Sequence, residues 1–164
     1  MRSALPIAAL SILFAAQAGA QDLDLRDKTI VIDAKPTRYH YIAPNGRIYS
    51  AENNHAHKGK SGNEYQLGQT ISFRNPMDRC MTIAKKTHAA ISGNVLTLSV
   101  LESKTVTPQG CPLPGTIAGD PSAEKIEISG ADCVATSIFG GKVVATDRTC
   151  RVVSGRQIPK YVAR

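Results

Sequence analysis

The stretch that decides the fold is Glu124–Gly155, EKIEISGADCVATSIFGGKVVATDRTCRVVSG. Ile126 and Ile128 alternate with charged residues, which is the period of a strand with one face buried. Ser129-Gly130-Ala131 and Gly140-Gly141 supply turn chemistry, so the segment reads as three or four antiparallel strands joined by tight turns. A cysteine stands near each end, at Cys133 and Cys150.

Similar units recur upstream. Pro44-Asn45-Gly46 separates Arg38–Ala43 from Arg47–Ser50, an Asn-Gly hairpin signal. A turn at Ser92-Gly93 separates Arg79–Ile91, where Met81, Ile83, Ala89 and Ile91 share one parity, from Val95–Leu101. Thr29–Asp33 is a further short strand, ended by Pro36. Residues 105–122 hold four prolines and three glycines and read as an irregular excursion with room for one short helix. Asp22–Asp27 reads as a mobile acidic lead-in, and the basic tail from Gly155 as loosely held. No segment keeps a helical period. The fold class is all-β: an antiparallel meander of about eight to ten short strands forming a small barrel or sandwich.

Residues 1–20 are excluded from the fold. Arg2 is followed by the apolar run Ala4–Ala16 and then Gln17-Ala18-Gly19-Ala20, the layout of a secretory signal cleaved after Ala20. The apolar run is shorter than the roughly 20 residues a bilayer span needs. A single domain of residues 21–164 remains, expected in the periplasm or secreted medium and not membrane-spanning. It carries 19 basic and 13 acidic residues, a bias toward anionic partners. No nucleic-acid-binding module is visible.

Four cysteines in an exported chain predict two disulfides. Pairing about Gly140-Gly141 puts Cys133 opposite Arg148, two places from Cys150, within reach given a bulge. Pairing about Ser92-Gly93 puts Cys80 opposite Thr105, from which Cys111 folds back. The expected bonds are therefore Cys80–Cys111 and Cys133–Cys150. The spacing lacks the close pairs of a structural zinc site, so no cofactor or metal is expected.

Candidate chemistry is sparse. His55-Ala56-His57 would start a metal site if its two rings shared a strand face, but Lys58 and Lys60 adjoin it and further ligands are missing. His40 lies between Tyr39 and Tyr41, and His88 lies in the second hairpin; Asp33 and Asp78 are the partners considered for either. Glu52, Glu64, Glu102, Glu124 and Glu127 are scattered over loops and strand ends. No nucleophile elbow, Ser-Lys pair or phosphate-binding glycine loop is present. Arg151 and Arg156 flank the last strand and suit an anionic group, or else guard an edge strand. With Tyr41 and Tyr49 they form the expected ligand-binding set.

The runs YIAPNGRIYS (residues 41–50), ISGADC (128–133) and CRVVSGR (150–156) resemble small exported hypothetical proteins of Gram-negative bacteria. That resemblance implies fold and compartment and carries no site residues. The expected function is a non-enzymatic binding module for an anionic envelope component or a small ligand in a barrel mouth. A secreted inhibitor of a cell-wall hydrolase is the alternative, and an envelope enzyme comes third.

Overall fold

A computed structural model describes residues 23–52 and 62–158. Its strands are β1 (Lys28–Ile32), β2 (Arg38–Ile42), β3 (Arg47–Glu52), β4 (Glu64–Gln66), β5 (Thr70–Asp78), β6 (Met81–Ser92), β7 (Val95–Thr107), β8 (Gly115–Gly119), β9 (Ser122–Ser129), β10 (Asp132–Phe139) and β11 (Lys142–Ser154). Ten of them form one antiparallel sheet in the order β4-β3-β2-β1-β11-β10-β9-β7-β6-β5. β4 then meets the far edge through the bridges Gln66↔Gln69 and Leu67↔Ala89. The Gly68 N–H donates to the Ala89 carbonyl at 2.8 Å across that seam. The result is a nearly closed ten-stranded barrel, which decides against a sandwich.

Strand pleat sorts the residues. Ile30, Ile32, Ile42, Ile48, Leu96, Leu98, Ile126, Ile128 and Ala135 point inward and form one core. Leu25 joins it, fully buried, with Leu23 packed alongside. The lead-in is thus seated rather than mobile, because burying two leucines offsets the cost of ordering it. The start of the tail is held through Gly155 and Gln157. The Gly155 N–H donates to the Asp27 carbonyl at 2.7 Å, and the Thr29 hydroxyl bonds Gly155 and Gln157.

The hairpins follow their turn residues. Gly140 and Gly141 both have positive φ, 54° and 78°, as a two-residue turn that twists with its strands requires. From that turn Phe139 faces Lys142, and two bulges then advance the register until Cys133 faces Cys150. The bonded pair has a Cα–Cα distance of 4.8 Å and lies in the core. The upstream turn falls one residue later than the sequence suggested: Ser92 pairs Val95 around Gly93-Asn94. A bulge then ejects Leu101, which is 45% exposed.

The strands are not all short. β6 has 12 residues and β7 and β11 have 13 each, since bulges let a strand bend and stay paired. β6 and β7 continue past β9, and there β8 pairs the free flank of β7. The 105–122 excursion therefore contains a strand and no helix. Cys80, in the β5–β6 turn, is bonded to Cys111 in the loop before β8 (Cα–Cα 5.5 Å).

The two disulfides should differ in weight. Loop closure alone assigns each about 3–4 kcal/mol, slightly more to the longer loop. Only Cys133–Cys150 also fills core volume. Urea denaturation of the double alanine variants should show the larger loss for Cys133→Ala/Cys150→Ala, reversing the loop-length order.

Candidate functional site

The two ends of the barrel differ. The apolar rows described above occupy one end. Toward the other, the same inward rows continue as polar residues. Arg38 and His40 precede Ile42 on β2, Ser50 follows Ile48 on β3, Glu124 precedes Ile126 on β9, and Ser137 follows Ala135 on β10. They line an open cavity of about 260 Å³, with Asn63, Tyr65 and Leu98 inside and Ser122, Ile138, Phe139 and Val144 toward its mouth.

Arg38 ties the cavity floor together. Its Nη2 lies 2.8 Å from Glu124 Oε1 and 2.8 Å from Asp147 Oδ2, and 3.4 Å from Ser137 Oγ. One guanidinium thus joins β2, β9 and β11 across the interior. Its Nε–H is buried with no hydrogen-bond partner among the described residues. The second Glu124 oxygen lies 2.7 Å from His40 Nε2, a charge contact rather than an aligned hydrogen bond, so Nε2, like Arg38 Nε, has no hydrogen-bond partner among the described residues. The other ring nitrogen, Nδ1, lies 2.7 Å from Ser50 Oγ. His40 and Ser50 are directly paired across β2 and β3, so their side chains share the inner face by register.

The electrostatics follow from this packing. Burial pushes the Glu124 carboxyl up, but the close contact and charge of His40, then the charge and hydrogen bond of Arg38, outweigh it and hold the group below its usual range. Burial pushes the Tyr65 hydroxyl well up and the Lys85 ammonium down. Lys85 Nζ donates to Asn63 Oδ1 at 2.6 Å. Among the described residues in and around the cavity, Arg38 and Lys85 face three carboxylates, Glu52, Glu124 and Asp147. Counted over those residues, the site is not an anion trap despite the basic chain.

The residues expected to bind ligand lie elsewhere. Tyr41 and Tyr49 are a cross-strand pair on the outer face. The Arg156 guanidinium stacks over both rings at 5.7 Å, and Arg47 lies 5.7 Å from the Tyr49 ring centroid. Tyr41 donates to Asp27 at 3.0 Å. Arg151 is separate and pairs with Asp33. It does not guard an edge, because β11 is paired on both sides. His88 approaches Thr70 Oγ1 at 3.2 Å, and neither it nor His40 meets Asp33 or Asp78. His55 and His57 lie outside the described residues. Among the described residues no cluster of three His, Cys, Asp or Glu could hold a metal ion. No helix there is long and apolar enough to cross a bilayer.

The sequence reading placed Glu124 among scattered carboxylates and passed over Arg38, Ser50 and Asp147. The signal was available: each of Arg38, His40, Ser50 and Glu124 shares parity with a core isoleucine on its own strand. Comparison with protein-family models, curated proteins and solved structures gives no match.

Two stability tests follow from the network. Arg38→Met strands two partly buried carboxylates and should cost roughly 3 kcal/mol at pH 7 in urea denaturation. Arg26→Met, which breaks an exposed 3.9 Å contact to Asp24, should cost under about 0.5 kcal/mol. Glu124→Gln should also be destabilising at neutral pH. Because the folded carboxyl titrates below its ordinary value of 4.5, its contribution is complete above that pH and is lost as pH falls through the lower folded value. The stability gap between wild type and Glu124→Gln should therefore be full at pH 6 and narrow progressively as pH is lowered below 4.5.

Proposed function

We propose that this chain is an exported binding barrel that takes a small molecule in its mouth. The supporting observation is the open cavity of about 260 Å³, with a polar, hydrogen-bonding floor and an apolar rim. Small-ligand sites combine such a concave, largely preformed shape with a few fixed polar groups. The two disulfides suit an oxidising compartment, in agreement with the secretory signal read from residues 1–20.

The charge inventory narrows the ligand. With carboxylates outnumbering cations among the described residues around the floor, an added anion meets net repulsion there. A neutral head rich in hydroxyl or amide groups, with an apolar portion against Ile138, Phe139 and Val144, fits better. An anionic envelope component belongs to a second reading, on the outer surface. There the Arg156, Tyr41 and Tyr49 cluster supplies a cation and flat rings, with Arg47 engaged by Glu64.

Backbone amide NMR tests both readings with two probes of equal chain length, hexyl glucoside and hexanoate. The glucoside should shift the amides of Ser50, Asn63, Ser122 and Ser137 at millimolar concentration, with hexanoate markedly weaker there. Ser122→Phe, which fills the mouth, should abolish those shifts. Absence of cavity shifts with both probes, or shifts that survive Ser122→Phe, would overturn the assignment.

A further inference from the structure

The cavity holds more than a binding surface. Ser50 Oγ, the His40 imidazole and the Glu124 carboxylate form a continuous chain with 2.7 Å at each junction. That is the arrangement of an activated nucleophile: a hydroxyl against a base whose far nitrogen is held by a third group. Here Nδ1 faces the hydroxyl and Nε2 the carboxylate, the reverse of the usual serine-protease assignment. Both imidazole nitrogens can accept a proton, so the function of each position is set by the hydrogen bond at the other. The Glu124 carboxylate, 2.7 Å from Nε2, favours the proton on that nitrogen by its charge and leaves the Nδ1 lone pair toward Ser50.

We propose that the barrel mouth is a hydrolytic site for small, uncharged carboxylic esters, with Ser50 as nucleophile and His40 as base. This rests on the reading of the cavity as a ligand pocket and adds a reaction to it. His40 is 5% exposed, and a base this sheltered exchanges protons with the groups it touches. Ser50 is half-buried and lines the cavity, so its hydroxyl is open to a bound molecule. Glu124 and Arg38 are positioning residues: the first orients the imidazole and the second orients the first.

The step balances within the site and its substrate. Ser50 Oγ bonds to the ester carbonyl carbon while its proton passes to His40 Nδ1. The tetrahedral species collapses, the carbon–oxygen bond to the alcohol breaks, and the departing alcohol takes the proton from Nδ1. Water repeats the sequence on the acyl-serine, releasing the carboxylic acid and restoring Ser50. Negative charge on the carbonyl oxygen needs donors. The cavity lining offers the hydroxyl of Tyr65, which Asn63 hydrogen-bonds. The cavity volume confines the acyl group to a short chain, and the surplus carboxylates disfavour an anionic one.

Three earlier features explain why no local motif announced this. Ser50, His40 and Glu124 come from three strands, and 74 positions separate Ser50 from Glu124. The hydroxyl sits on a strand, not on a glycine-flanked elbow. The base is approached by register pairing, which a pattern of neighbouring residues does not display.

A fluorophosphonate probe on the full mature chain, residues 21–164, tests the inference, read by intact mass and peptide mapping. The expected result is one adduct per chain, on Ser50. Ser50→Ala should remove it, and His40→Asn should slow labelling by about 10²-fold or more. Glu124→Gln should slow it too, and Glu124→Asp should recover part of the rate, which a purely structural contribution would not require. p-Nitrophenyl acetate should be turned over by wild type and not by Ser50→Ala. The wild-type result needs no variant to fold: no adduct, or an adduct on another residue, overturns the catalytic assignment. If hexyl glucoside still shifts the cavity amides in that case, the binding reading stands and only the chemistry fails. If neither probe engages the cavity, both fail.

Discussion

One guanidinium sets the character of this barrel. Arg38 reaches from β2 to carboxylates on β9 and β11, each at 2.8 Å, inside a closed sheet. Removing such charges from water costs several kcal/mol per ion, and only close, multiply bonded geometry repays it. The rest of the mouth is arranged around that requirement. Glu124 needs a second donor and receives His40; His40 needs a partner at its other nitrogen and receives Ser50. The polar end of the barrel is therefore a chain of mutual obligations, whereas the other end is a packed isoleucine and leucine core. A barrel with both ends apolar would be simpler to fold, which is why this end is the candidate site.

The scaffold supports that arrangement by fixing register. Site residues on β2, β3, β9 and β10 point inward only because each strand keeps its phase, and a slip of one residue would turn them all to solvent. Isoleucines hold the phase at the core end, and the Cys133–Cys150 bond pins β10 to β11 after two bulges. The bulge nearer the turn also places Asp147 opposite Ala135, on the inner face where Arg38 can reach it. The disulfide and the charge network are thus linked through the same irregularity of one hairpin.

Much of the fold was legible because its signals are local. Asn45-Gly46 and Gly140-Gly141 announced their hairpins, and turn arithmetic brought Cys133 within two positions of Cys150. β8 was hidden because GTIAG between prolines carries no alternation, and it is a strand only because β7 overruns β9. The lead-in was misread because Leu23 and Leu25 are interleaved with aspartates, and only the assembled core shows where they go. The site was harder still. In β2 the aromatic Tyr39 and Tyr41 catch the eye, yet they face outward, while Arg38 and His40 occupy the row of Ile42. Polar residues in core phase are a readable anomaly, but their partners on other strands become visible only once the barrel closes.

The most direct measurement is the tautomer of His40, by long-range nitrogen–proton NMR at neutral pH. A neutral ring with its proton on Nε2, facing Glu124, and a bare Nδ1 accepting from Ser50 is the result this account requires. A neutral ring protonated on Nδ1, or a ring exchanging with water as freely as an exposed histidine, would contradict it.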